Sequence, residues 1–236
     1  MNAIIQKIRQ DLRQNSDEAT KHSFQRFFKE GVTCYDVKTG VVGKIATSYW
    51  NEIQNLEKDV IFELCEELYR SGYCEEAFVV SFWVPKVTDR YEPNDLALFK
   101  RWILQYINNW ATCDGLCNHT VGNFIERFPD SIQELKHWAI SDNRWLKRAA
   151  AVSLIIPVKK GKFLDTVFEI VDILLLDSDD MVQKGYGWLL KEASRKHEKE
   201  VFEFVVNHRK VMPRTALRYA VELMPKEMRA VAMKNG

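Results

Sequence analysis

The sequence predicts an all-α fold, a solenoid of helical hairpins. Three observations carry this prediction. Apolar residues recur at three- and four-residue spacing along almost the whole chain, while period-two alternation is scarce. Only 10 Gly and 6 Pro occur in 236 residues, too few for the turns that an all-β chain needs every 8–12 residues or about that. Helix-start signals and an internal similarity return at intervals of 34 and 37 residues. A composition of 46% hydrophobic and 28% charged residues suits a folded chain with a sizeable core.

The elements follow in order. Segment 4–12 puts Ile4, Ile5, Ile8 and Leu12 on one helical face, with charges between them. It lacks the continuous apolar core of a signal peptide, and no targeting segment is expected. Helices are predicted at 19–30, 43–56, 59–70 and 73–84, separated by breaks such as "KTG" at 38–40 and "RSG" at 70–72. "RYEPND" at 90–95 closes this stretch, and Asn94–Asp95 supplies a start signal for a helix over 95–110. Further helices are predicted at 115–127 and 131–139, at 143–156 after "SDN", and at 163–176. The last three are 180–195 after "DSDD", 198–207, and 213–223 after "VMP". The most apolar run, "FLDTVFEIVDILLLD", is broken by Asp165, Glu169 and Asp172 and cannot span a bilayer. No linker divides the chain, so residues 1–236 read as a single domain.

The internal match sets "SDNRWLKRAAAVSLI", from Ser141, over "SDDMVQKGYGWLLKE", from Ser178, with "KVMPRTALRYAVELM" following. Superposition places Lys147, Lys184 and Arg218 at equivalent points. Hairpins of this period mark an α-solenoid of the HEAT kind, in which each unit packs on its neighbours. Second helices would line a concave wall, and a recurring cation would draw a basic stripe along it. Any lysine-bearing amphipathic helix can align in this way too. The charge distribution agrees with the stripe. Residues 141–236 carry 18 Lys/Arg against 13 Asp/Glu and the first 140 carry 16 against 20, although the net charge is only +1. A basic C-terminal part hints at an anionic partner.

The stretch "NNWATCDGLCNHTVGNF" at 108–124 concentrates reactive side chains. Cys113, Cys117 and His119 form C-x-x-x-C-x-H, but nothing elsewhere offers the second ligand pair that structural zinc usually needs. Five cysteines without framework spacing are more simply buried core residues of a reducing cytosol. No metal is therefore expected. Trp110 and Asp114 lie four apart, so on a helix an indole and a carboxylate project together. The plainer alternative makes Trp110 a core aromatic and Asp114 the cap of a helix from 115. In "QKGYGWLLKEAS", Lys184, Trp188 and Lys191 share a face. Gly185 and Gly187 in a helix interior cost about 1 kcal/mol each relative to alanine, which suggests close approach by a neighbour or ligand. In "DNRWLKRAAAV", Arg144 and Arg148 share a face beside Lys147. Walker, dinucleotide, nucleophile-elbow and H-E-x-x-H motifs are missing, and His22, His119, His137, His197 and His208 form no cluster in sequence.

"NNWATCD", "SDNRWLKRAA" and "QKGYGWLLKEAS", in this order and spacing, resemble the HEAT-like-repeat DNA alkylation repair proteins, the AlkD-type alkylpurine DNA glycosylases. The similarity runs from about residue 20 to 225 and is strongest over 105–220. It implies an active site of Trp110, Asp114, Arg148 and Trp188. It implies a concave, cation-lined DNA face with Arg144, Lys147, Lys184, Lys191, Arg214 and Arg218 as DNA contacts. The implied reaction is excision of cationic N3- or N7-alkylpurines, such as 3-methyladenine and 7-methylguanine, from duplex DNA without extruding the base. Ala111 and Thr112 depart from the aromatic or acidic neighbour that family members carry beside the catalytic tryptophan.

The expected partner is double-stranded DNA, alkylated or branched, bound by a monomer with no cofactor, no metal and no membrane. A cytoplasmic bacterial protein, on the nucleoid when bound to DNA, fits this reading. Two alternatives stand beside it: a non-catalytic protein binding branched or damaged DNA through the same face, and a helical-repeat scaffold for other proteins.

Overall fold

In the computed structural model, residues 3–21, 28 and 31–234 are described, and their regular structure is helical. The chain divides into two compact units, Met1–Leu116 and Cys117–Gly236. Among the described residues no helix is long and apolar enough to cross a membrane. The helix predicted at 19–30 is present over 18–21, while 22–27, with His22, and 29–30 lie outside the described residues.

The first unit contains α1 (Ala3–Gln14), α2 (Thr39–Ile53), α3 (Lys58–Tyr69), α4 (Cys74–Trp83), α5 (Asp95–Tyr106) and α6 (Trp110–Leu116), with a 3-10 segment at Val84–Arg90. The apolar stripe of α1 buries Ile5, Ile8 and Leu12 completely. Helix α4 is the hub, packing on α2, α3 and α6. Its interior is apolar almost all round, and Val79, Val80 and Trp83 are fully buried. Its first turn carries Glu75 and Glu76, both 0% exposed. Glu75 accepts the amides of Tyr35 and Val37 at 3.0 Å each. Glu76 takes a two-nitrogen grip from Arg9 at 3.0–3.1 Å and the Tyr35 hydroxyl at 2.7 Å. These buried acids pin segment 33–37 and α1 to the hub.

Several boundaries differ from expectation: α2 runs over Thr39–Ile53 and so starts inside the predicted break "KTG" rather than at 43. Asn94 makes no side-chain cap for α5. Instead the Asp95 carboxylate accepts the Glu92 amide at 2.8 Å and the Lys58 ammonium at 3.0–3.1 Å, tying α5 to the start of α3. The helix predicted at 95–110 stops at Tyr106, and Ile107 turns extended at φ −84°, ψ 119°. A new helix begins at Trp110, where Asn109 Oδ1 accepts the Thr112 amide at 3.0 Å.

The second unit opens with a π-turn (Cys117–Val121) and contains α7 (Gly122–Arg127), α8 (Ile132–Ala139), α9 (Arg144–Val152), α10 (Ile155–Lys159), α11 (Leu164–Leu174), α12 (Asp180–Ala193), α13 (Glu198–His208), α14 (Arg214–Ala220) and α15 (Lys226–Met233). The predicted helix 143–156 is broken at Ser153–Leu154. Pro157 has no amide to donate, and its ring would collide with the carbonyl of residue 153 in a continuous helix. Hairpins α8–α9 and α11–α12 repeat, α13 packs on α12 and α15, and helices α9, α12 and α14 pack side by side.

The repeat is visible atom by atom in two turns. Ser141 Oγ accepts the Asn143 amide at 3.1 Å, and Asp177 Oδ1 accepts the Asp179 amide at 2.8 Å. Asn143 then caps α9 through the Trp145 and Leu146 amides, and Asp179 caps α12 through those of Met181 and Val182. Each cap contributes about 1 kcal/mol. Lys147 joins the two turns by donating to Asp177 Oδ2 at 2.7 Å.

Candidate functional site

In the first unit, Trp110 and Asp114 lie one turn apart on α6, both half-buried. The opposite face of α6 buries Thr112, Cys113 and Leu116. Asp114 is inside the helix, so it caps nothing that starts at 115, and Trp110 is not a fully buried core aromatic. The indole of Trp110 stacks on Phe28, with ring centroids 5.5 Å apart and planes 24° from parallel. Gly115 lets α6 approach α4: a Cβ there would stand 2.6 Å from Ser81 Oγ. Asn109, which sequence reasoning passed over, defines where this helix starts. Its signal was present, since asparagine is a favoured N-cap, but the apolar period of 95–107 runs straight up to it. Phe28 had no distinguishing signal within an aromatic-rich stretch.

In the second unit, Arg148 and Trp188 come from the neighbouring helices α9 and α12. Arg148 is 5% exposed, and its Nη1 donates to the Met181 carbonyl at 2.5 Å. It crosses Gly185, where a Cβ would meet Arg148 Cγ at 3.3 Å. The close approach inferred at Gly185 is therefore made by Arg148 itself. Gly187 serves another neighbour: a Cβ there would lie 2.9 Å from the Ala216 carbonyl oxygen and 2.8 Å from Tyr219 Cβ, so α14 packs directly on the α12 backbone. Trp188 is half-buried, and its indole N–H interacts with the Glu192 carboxylate. Burial pushes Glu192 upward, but Arg195 at 2.7 Å, Lys159 and Trp188 outweigh it and hold this carboxyl below its ordinary pKa. Glu192 thus stays ionised under Trp188.

The basic side chains are engaged rather than bare. Arg144 pairs with Asp179 at 2.7 Å and lies over the Trp145 ring, Lys147 pairs with Asp177, Lys184 with Asp180 at 2.5 Å, and Lys191 with Glu222 at 2.8 Å. Arg214 donates to the Met233 carbonyl at 3.2 Å, and Arg218 is exposed. The register of the repeat also shifts by one. The N-caps are Asn143, Asp179 and Pro213, and the cation five residues after each is Arg148, Lys184 and Arg218. Lys147 aligns with Gln183 instead. The serines that guided the superposition stand at different distances from their caps, which moved it.

Cys113 and Cys117 are fully buried and in no disulfide, and His119 is exposed. Among the described residues no group of three or more His, Cys, Asp or Glu is placed to hold a metal ion.

The chain has the fold of a predicted DNA alkylation repair enzyme from Enterococcus faecalis, at a TM-score of 0.79 and 15% identity, covering 90% of this chain and 98% of that one. It is less closely similar to the crystal structure of smu.31 from Streptococcus mutans UA159, at a TM-score of 0.57 and 15% identity, covering 83% and 98%. No curated protein matches it. The sequence profile of DNA alkylation repair enzymes matches residues 8–224, across both units and every motif described above. The chain belongs to the DNA alkylation repair enzyme family.

Proposed function

We propose that this protein is a monofunctional DNA glycosylase that excises cationic N3- and N7-alkylpurines from duplex DNA, acting as a monomer and as one continuous domain. The observation that carries the reading is the half-buried Trp110–Asp114 pair, one turn apart on a helix whose start is fixed by Asn109. An alkylated purine of this class already bears positive charge and departs without a general acid. The demand falls on the sugar, which becomes oxocarbenium-like as the glycosidic bond breaks. The Asp114 carboxylate stabilises that cation and orients the water that captures it. The faces of Trp110 and Trp188 each add about 0.5–2 kcal/mol of cation–π stabilisation. Arg148, a guanidinium fixed in the interior and weakly screened, supplies positive charge to a backbone phosphate. The chemistry so described asks for no metal and no cofactor.

The test is to incubate the protein with methylated duplex DNA and identify freed bases by mass spectrometry. Release of 3-methyladenine or 7-methylguanine is expected, and Asp114→Asn should slow it by about 10²–10³-fold without altering the helical circular dichroism. If concentrated protein frees neither base, the glycosylase reading is wrong, and tighter binding to junctions than to duplex would then identify a DNA-structure binder.

A further inference from the structure

The first unit contains four cysteines that the proposed reaction does not use, and two of them, Cys34 and Cys74, are neighbours. Thr33 and Tyr73 form a parallel β-bridge, and the Cys74 amide donates to the Thr33 carbonyl at 3.0 Å. Glu75 and Glu76 clamp the residues that follow, and the rings of Tyr35 and Tyr73 stack with centroids 4.0 Å apart. This register sets Cys34 beside Cys74. Backbones paired in this way stand about 4.8 Å apart, inside the Cα separation of about 4.4–6.8 Å that a disulfide requires. Cys74 is the neighbour that acts most strongly on the Cys34 thiol. Cys34 is half-exposed and Cys74 is buried, so a small oxidant meets Cys34 first. Cys74 Sγ in turn accepts a hydrogen bond from Asn109 Nδ2 at 3.6 Å, and Asn109 is the residue that starts α6.

We propose that Cys34 and Cys74 form a reversible redox site for peroxides. Closing the disulfide withdraws the Cys74 sulfur from Asn109 and loosens the turn carrying Trp110. The consequence for base release rests on the glycosylase reading. In the reaction, Cys34 sulfur attacks one peroxide oxygen, the O–O bond breaks, and water leaves a sulfenic acid on Cys34. Cys74 sulfur then attacks Cys34 sulfur, the S–O bond breaks, and a second water leaves. Two thiols and one hydrogen peroxide thus give one disulfide and two waters, the thiol protons ending in water. The neighbouring Cys74, then burial, and then the carboxylates of Glu75 and Asp36 hold the Cys34 thiol above its ordinary pKa. The Cys34 sulfur therefore stays a thiol near neutrality, and closure should quicken as pH rises.

The experiment treats the full-length protein with hydrogen peroxide. Loss of two hydrogens is expected, with peptide mapping linking Cys34 to Cys74 and dithiothreitol reversing the change. Cys34→Ser, at the more exposed position, should not lose them and should keep the base release of the reduced protein. In the oxidised protein, hydrogen exchange at the Thr112 amide should be about fivefold faster, with base release falling in parallel and recovering on reduction. Oxidation mapped to other cysteines, or a closed pair with unchanged Thr112 exchange, overturns the proposal. If reduced protein releases no base, the glycosylase reading alone fails, because the disulfide map and the Thr112 exchange are read without activity.

Discussion

Two glycines two positions apart on α12 do different work, and substitution separates them. An alanine at Gly187 would push its Cβ into the Ala216 backbone, which cannot swing aside as a side chain can. Gly187→Ala should therefore destabilise the protein by about 1–3 kcal/mol despite the better helix former, seen as a lower Tm. At Gly185 the neighbour is Arg148 Cγ at 3.3 Å, a side chain that can yield by a few tenths of an ångström. Gly185→Ala should leave the Tm nearly unchanged and lower base release, because what moves is the guanidinium. Glu66 offers a test by pH. Arg101 holds it at 2.7 Å through both oxygens, and with Trp102 and Tyr106 it draws the carboxyl down to about 2. A depressed folded-state pKa stabilises above the unfolded value, about 4.3, and this stability is lost as pH falls towards 2. Glu66→Gln should accordingly cost about 1–3 kcal/mol at pH 7, with the gap to wild type closing by pH 2 in urea titrations.

At the scale of elements, caps decide where the helices carrying the proposed site residues begin. Asn109→Ala should remove about 1 kcal/mol from α6 and reduce base release while leaving α9 and α12 intact, which site-resolved hydrogen exchange would report. Caps also explain what was readable in the sequence. "SDN" and "DSDD" announced α9 and α12 because each places an Asn or Asp directly before an apolar period, and the atoms use them so. The start of α6 was hidden because the periodicity of 95–107 runs into "NN" without a break. The π-turn over Cys117–Val121 and the separation of α9 from α10 follow from backbone packing and from Pro157, which a period alone does not encode. The spacing of Trp110 and Asp114 said only that a helix would project them together; the predicted helices 95–110 and 115–127 left Asp114 between them, whereas both sit on α6. The half-buried state of Trp110 and its stacking on Phe28 were not legible, since that ring comes from 82 residues earlier in the chain.

Across the whole molecule the net charge is +1, and four cations expected to meet DNA, Arg144, Lys147, Lys184 and Lys191, already face carboxylates. DNA phosphates must then displace Asp or Glu rather than fill an empty basic surface. Binding should be weak at physiological salt and should strengthen when an acidic partner is neutralised. Lys191 and Glu222 make the cleanest test, because Glu222 is half exposed and touches none of the four residues assigned to the reaction. Glu222→Gln releases Lys191 to a phosphate. Duplex affinity, measured by fluorescence anisotropy across a salt series, should rise, and the slope of log affinity against log salt should steepen by about 0.9. An unchanged slope would show that Lys191 meets no phosphate and that the DNA face does not extend to this end of α12.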